Sequence, residues 1–177
     1  MSEEKTALDV AEVAEVEVRA LLRALRSQRR HVLGILEGLS EDDLSRPVLP
    51  SGWSCAGLVH HLALDVERFW FRAVMAGEQV DAFDPPDSEN AWVVPASTSP
   101  QQVLALYRDE CARADAAVAS MSLDTAPAWW PDFFGSFRMD DLREVLLHVI
   151  VETASHAGHL DAARELLDGR QWMVLTD

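Results

Sequence analysis

The sequence predicts an all-α fold, a bundle of four main helices. The first of four long segments is rich in Ala, Leu, Glu and Arg, which are good helix formers. No segment of any length alternates apolar and polar residues as a strand would. The chain has 177 residues and is 49% hydrophobic, enough for one well-buried domain and too little for two. We therefore expect a single domain over residues 1–177.

Capping and breaking residues set the expected limits of each helix. The long helices are predicted over residues 10–36, 54–76, 99–121 and 139–169, with an extra turn at residues 40–44. Ser54 is the expected N-cap of the second helix, and Ser99-Pro100 is a strong start signal for the third. Gly77 and Gly169 are suitable stops.

Two irregular segments, residues 78–98 and 122–138, connect the later helices. The first is long enough to cross the bundle, so the second and third helices can run parallel. Aromatic residues are frequent in both segments, and they either line a pocket, plug one end of the bundle or form a dimer contact. These residues are Trp92, Trp129, Trp130, Phe133 and Phe134.

Charge and composition exclude several classes of function. The net charge of −15 repels phosphate backbones, so we expect no nucleic-acid partner. No apolar run approaches the roughly 18 residues of a membrane span, and the first residues are polar, unlike a signal peptide. We therefore expect a cytoplasmic protein that does not bind membranes. Its two cysteines, Cys55 and Cys111, are expected to be free thiols.

The most informative segment is the last helix. His148, Glu152, His156 and His159 fall within an arc of roughly 80° at helical spacing. Apolar residues lie on or beside this arc, which predicts that it is buried. A buried carboxylate is costly unless it is paired or bound to a cation. Glu152 and His156 project together because they are four residues apart, as two ligands of a metal site would.

The second helix is expected to supply a third ligand. His61 flanks its apolar stripe, whereas His60 points to nearly the opposite side. Asp65, one turn after His61, either orients the free imidazole nitrogen or forms a solvated ion-pair ladder with Arg68 and Arg72. The sequence thus predicts a metal site of His61, Glu152 and His156.

Alternatives remain open for this group of histidines. The cluster could be a satisfied hydrogen-bond network without a metal. His148 and His159 are each a fourth ligand, a substrate contact, or a residue of packing or of an interface. His31, in the first helix, has no visible partner.

The residues resemble a known group, the DinB superfamily of four-helix-bundle metalloproteins, in its actinobacterial branch of unknown function. The resemblance covers nearly the whole chain. It rests on Gln28-Arg29, Leu36-Glu37-Gly38-Leu39, Ser51-Gly52-Trp53-Ser54, Leu58-Val59-His60-His61-Leu62-Ala63, Glu67-Arg68-Phe69-Trp70-Phe71, Tyr107-Arg108 and residues 147–159.

The resemblance implies an up-down-down-up bundle with a divalent metal. In the family, a His of the second helix and two residues four apart on the last helix hold zinc or nickel, which matches His61, Glu152 and His156. Many members have His where this chain has Glu152, and the Glu form resembles mycothiol-dependent maleylpyruvate isomerase. Zinc is the first expectation, with nickel or iron as alternatives. Homodimers are common in the family, so a homodimer is a candidate arrangement.

The expected function is that of a metal-dependent thiol S-transferase. The superfamily that the chain resembles includes transferases and isomerases that use bacillithiol, mycothiol or glutathione. The Ala/Arg/Glu-rich composition is compatible with a high-GC actinobacterium, which favours mycothiol as co-substrate. The expected partners are therefore a small-molecule thiol and an electrophile. One alternative is a non-catalytic, stress-associated bundle that binds a metal or ligand, in which His148 or His159 would close the metal site. Another is an iron oxygenase, because two His and one carboxylate form a facial triad.

Overall fold

The computed structural model describes residues 10–80 and 90–172, and every regular element in these ranges is helical. This confirms the all-α prediction. The main helices are α1 (Val10–Ile35), α2 (Glu41–Ser45), α3 (Cys55–His61), α4 (Pro100–Val118) and α5 (Leu142–Asp168). A π-helical segment (Leu62–Met75) continues α3 directly, and a single 3₁₀ turn (Asp132–Phe134) lies in the second irregular segment.

Contacts between the helices give the topology up-down-down-up. In α1 and α5, Glu17 pairs with Arg143 and His31 with Asp161, so these helices run in the same direction. In α3 and α4, Ser54 and Pro100 at the two helix starts line one cavity, and further along Arg72 pairs with Glu110. α5 runs antiparallel to α3, since His61 meets His156 and Trp70 meets His148.

Side-chain caps fix the helix starts. Ser54 accepts a hydrogen bond from the N–H of Gly57, and Ser99 forms a capping box with Gln102. The fourth long helix begins later than predicted, because Asp141 is its N-cap and accepts a hydrogen bond from the N–H of Glu144.

The π-helical segment was not predicted. Its winding continues past the last residue, where the N–H of Ala76 donates to the carbonyl of Phe71 five residues earlier. Ten of its 14 residues are buried, among them Phe69 and Trp70. Such winding is rare in proteins, and where it occurs it is often at a functional site. Here it begins directly after His61.

The core contains buried charges as well as apolar side chains. Arg29 donates two hydrogen bonds to Glu67, whose side chain is fully buried, and a third to Asp115. Further contacts join the π-helical segment to α4, where Arg68 and Arg72 both donate to Glu110. These pairs tie α1, the π-helical segment and α4 together.

His31 has a partner, contrary to the expectation from sequence. Its Nε2 lies 2.8 Å from the carboxylate of Asp161, and its ring stacks on Trp172. The partners are more than 100 residues apart in the chain, so local spacing did not indicate them. The contact joins α1 to α5 and to the residues that follow α5.

No helix among residues 10–80 and 90–172 is both long and apolar enough to cross a membrane.

Candidate metal centre

The structure brings the three predicted ligands together. His61 is the last residue of α3, and Glu152 and His156 lie one turn apart on α5. One potential ligand atom from each residue lies within 4.8 Å of the other two. The two imidazoles are largely shielded, whereas the side chain of Glu152 is 37% exposed. The cluster is therefore a half-open site whose accessible side is next to Glu152.

Asp65 orients the His61 ring. Its carboxylate lies 2.8 Å from Nδ1 of His61, and since a carboxylate accepts, Nδ1 carries the proton. In the neutral ring, Nε2 then has a free lone pair. That nitrogen is buried, has no hydrogen-bond partner in the part of the chain that the structure describes, and lies 3.9 Å from Oε1 of Glu152. The alternative ion-pair ladder is wrong, because Arg68 and Arg72 reach across to α4 instead.

His156 and Glu152 form a direct contact. Nε2 of His156 lies 3.1 Å from Oε1 of Glu152. Burial lowers the pKa of His156, while the neighbouring Glu152 carboxylate opposes that change. A lowered pKa favours the neutral form, which is the protonation state that a metal ligand requires.

The other two histidines of α5 lie outside this cluster. His148 packs against the edge of Trp70, with ring centroids 4.7 Å apart, and burial lowers its pKa. His159 is exposed, and its Nδ1 lies 3.4 Å from Nδ1 of His156. The prediction that all four polar residues share a buried face was thus wrong. The arc lies at the edge of the buried face, so only His156 of the four is buried.

Sequence reasoning missed the role of Trp92. Its indole stacks on His61 with centroids 4.3 Å apart and planes 17° apart, and it meets His156 at 5.4 Å. The preceding segment has no helical period, so no pattern linked Trp92 to the site. His60 also differs from expectation. It is buried, and its Nδ1 donates to the carbonyl of Ala91.

The aromatic residues of the second irregular segment form a separate cluster. Trp130 and Phe134 pack on Trp70, and Trp129 and Phe133 pack on Phe69. The outer members, Trp129 and Phe133, are exposed.

The three predicted ligand side chains suit a divalent metal. Two imidazoles and one carboxylate are ligands for zinc, nickel or ferrous iron. A self-contained hydrogen-bond network would satisfy its buried atoms, yet Nε2 of His61 has no hydrogen-bond partner among the described residues. Among the described residues, the group contains three candidate ligands, which is the number that leaves a coordination position for a substrate.

Comparison with known proteins agrees with this architecture. A family model described as mycothiol-S-transferase matches residues 20–169, a range that includes His61, Asp65, Glu152 and His156. No curated protein and no solved structure matches the chain. The matched family is part of the DinB-like superfamily, so the resemblance noted in the sequence is confirmed. Because the match covers most of the chain, the protein belongs to the mycothiol S-transferase family.

Proposed function

We propose that this protein is a metal-dependent mycothiol S-transferase in which His61, Glu152 and His156 hold the metal, with zinc as the first candidate. The observation that supports the metal site best is the buried Nε2 of His61, which has no hydrogen-bond partner among residues 10–80 and 90–172, although Nδ1 of the same ring is bound by Asp65. A ring held in this way presents one lone pair toward the other two ligands.

A metal bound there would lower the pKa of a coordinating thiol and so supply a thiolate at neutral pH. The thiolate sulfur of mycothiol would bond to an electrophilic carbon, and the leaving group would depart with its electron pair. The chain itself orients His61 through Asp65, shields the imidazoles with Trp92, and leaves the Glu152 side open for the thiol.

The cysteines of the chain are poor candidates for this nucleophile. Cys55 is buried, and burial raises its thiol pKa to about 11. Burial also raises the thiol pKa of Cys111. Both are therefore protonated at neutral pH, and protonated thiols are weak nucleophiles. A small-molecule thiol has to supply the reacting sulfur.

The charge of the protein restricts the second substrate. The net charge of −15 disfavours the approach of anions. We therefore propose a neutral or cationic electrophile.

A closed, structural metal site is less well supported. Structural zinc normally has four protein ligands. His148 contacts Trp70, and His159 approaches the far nitrogen of His156, so neither adds a fourth ligand to the cluster among the described residues.

The test combines metal content with a transfer assay. Purified wild type, His61→Ala and His156→Ala are compared by mass spectrometry and by conjugation of mycothiol to monochlorobimane in the presence of zinc. His31→Gln is the matched control, because His31 also pairs with a carboxylate but belongs to another contact. We expect about one zinc and activity in wild type and the control, and loss of both in the other two variants. A metal-free wild type, or full activity in His156→Ala, would refute the proposal.

A further inference from the structure

We infer that Trp92 is a positioning residue for His61, and that His60 and Gly57 hold Trp92 in place. This inference rests on the proposed metal site. It identifies the part of the chain that keeps His61 oriented in that site. None of these three residues is a metal ligand.

Trp92 restrains the face of the His61 ring. The two rings are nearly parallel, and the indole also contacts the His156 ring from the side. Asp65 fixes the His61 ring at Nδ1, so hydrogen bonding and stacking act on the same side chain from different directions. Rotation of the ring about its χ angles would break both contacts.

The backbone around Trp92 is shaped by a tight turn. The side chain of Asn90 accepts a hydrogen bond from the N–H of Trp92, and the carbonyl of Asn90 accepts one from the N–H of Val93. Asn is a typical residue for such a turn because its side chain bonds to the backbone two residues on. The turn directs the carbonyl of Ala91 toward α3.

His60 donates a hydrogen bond to that carbonyl. Its Nδ1 lies 2.7 Å from the oxygen of Ala91 in a buried position, and because a carbonyl only accepts, Nδ1 is the donor. The adjacent residues His60 and His61 thus have different structural roles. His61 belongs to the cluster, and His60 attaches the segment that carries Trp92.

Gly57 allows the segment to approach α3 closely. A Cβ at this position would overlap the carbonyl oxygen of Trp92, which is a backbone atom and cannot turn aside. Any other residue would move the segment away from the helix. In contrast, a Cβ at Gly158, which lies in α5 between His156 and His159, would meet no atom of another described element within 4 Å.

Orientation of a ligand ring matters most for retention of the metal. Groups that hold a metal-binding histidine contribute about 10–100-fold to affinity without touching the metal. Loss of the stacking should therefore appear as faster release of zinc, in a protein that remains folded.

The experiment measures the release of zinc to an excess of chelator by stopped-flow absorbance. Zinc-loaded wild type, Trp92→Ala, Trp92→Phe and Gly57→Ala are compared, with Gly158→Ala as the matched glycine control. We expect release about 10-fold faster in Trp92→Ala and Gly57→Ala. Trp92→Phe, which keeps a flat ring, and Gly158→Ala should stay within about twofold of wild type. Thermal unfolding of each variant checks that the protein is folded.

The outcomes separate this inference from the proposed function. A wild type without zinc would refute both. Zinc binding in wild type, with an unchanged release rate in a folded Trp92→Ala, would refute the positioning role alone. Equal acceleration in Trp92→Phe and Trp92→Ala would also refute it, because stacking would not be the cause. If Trp92→Ala does not fold, Trp92→Leu replaces it with the same expected acceleration.

Discussion

Asp65 lies one turn after His61, and its carboxylate is 2.8 Å from Nδ1 of that ring. The contact sets both the tautomer and the direction of His61, so Nε2 is the nitrogen left for the cluster. A carboxylate in this place also makes the imidazole a stronger donor to a metal.

Removal of Asp65 should weaken metal binding without removing a ligand. We expect Asp65→Ala to lower zinc affinity about 10–100-fold, and Asp65→Asn to lower it less, since an amide oxygen still accepts the hydrogen bond. Competition with a fluorescent chelator gives the affinities. Asp161→Ala is the control, because Asp161 pairs with His31 instead. Equal loss of affinity in the control would show that the effect is not specific to His61.

Glu152 should contribute to metal affinity and little to folding. Its side chain is 37% exposed, so Glu152→Gln should leave the thermal midpoint nearly unchanged. The neutral amide is a poor ligand, and we expect zinc affinity to fall about 10-fold or more. Glu152→His should retain zinc, because a third imidazole replaces the carboxylate. Glu165→Gln, also on α5 and exposed, is the control. Tight zinc binding by Glu152→Gln would remove Glu152 from the ligand set.

The helix limits were predictable where a side chain caps the backbone. Ser54 and Ser99 marked helix starts because their hydroxyls accept hydrogen bonds from nearby N–H groups, which is a local property. No local sequence signal indicates the π-helical winding after His61. Local propensity therefore predicted a helix there and not its pitch.

The grouping of His61, Glu152 and His156 was predictable because it depends on local helical spacing. The residues that pack around this cluster were not predictable. Glu152 and His156 share a face at a fixed spacing, and Asp65 follows His61 by one turn. Trp92 reaches the site from an irregular segment, so no period placed it beside His61. The partner of Arg68 and Arg72 is on α4, and helical spacing within one segment gives no information on such a contact.

The pairing of Glu110 should make stability depend on pH in the acid range. Burial, the largest influence, would raise the pKa of Glu110, but hydrogen bonds and charges from Arg68 and Arg72 together lower it below the usual value. A carboxyl whose folded pKa is below its unfolded pKa stabilises the fold above the unfolded value, about 4.3. That stability is lost as the pH falls through the folded pKa.

Glu110→Gln tests this dependence. The variant should be less stable than wild type at pH 7, and the difference should shrink as the pH falls below about 4. Urea unfolding at pH 7 and in the acid range gives the free energy of unfolding of each protein. The difference between wild type and variant cancels the contribution of the other titrating groups. Glu37→Gln, an exposed carboxylate, should show no comparable change. A difference that stays constant with pH would contradict the prediction.

Removing one partner of the pair of Arg29 and Glu67 should destabilise the fold strongly. Arg29 donates two hydrogen bonds of 2.7 and 2.6 Å to a carboxylate that has no exposed surface. Arg29→Met leaves that charge buried and unpaired, which costs about 3–5 kcal/mol in the free energy of unfolding. Arg19→Met removes an exposed pair with Glu15 on the same helix and should cost less than about 1 kcal/mol.

Urea unfolding compares the free energies of unfolding of the two single variants. The double variant of Arg29→Met with Glu67→Leu should recover much of the loss, because no charge then remains buried. Similar small losses in both single variants would mean that water reaches Glu67 and that the charge is not isolated in the core.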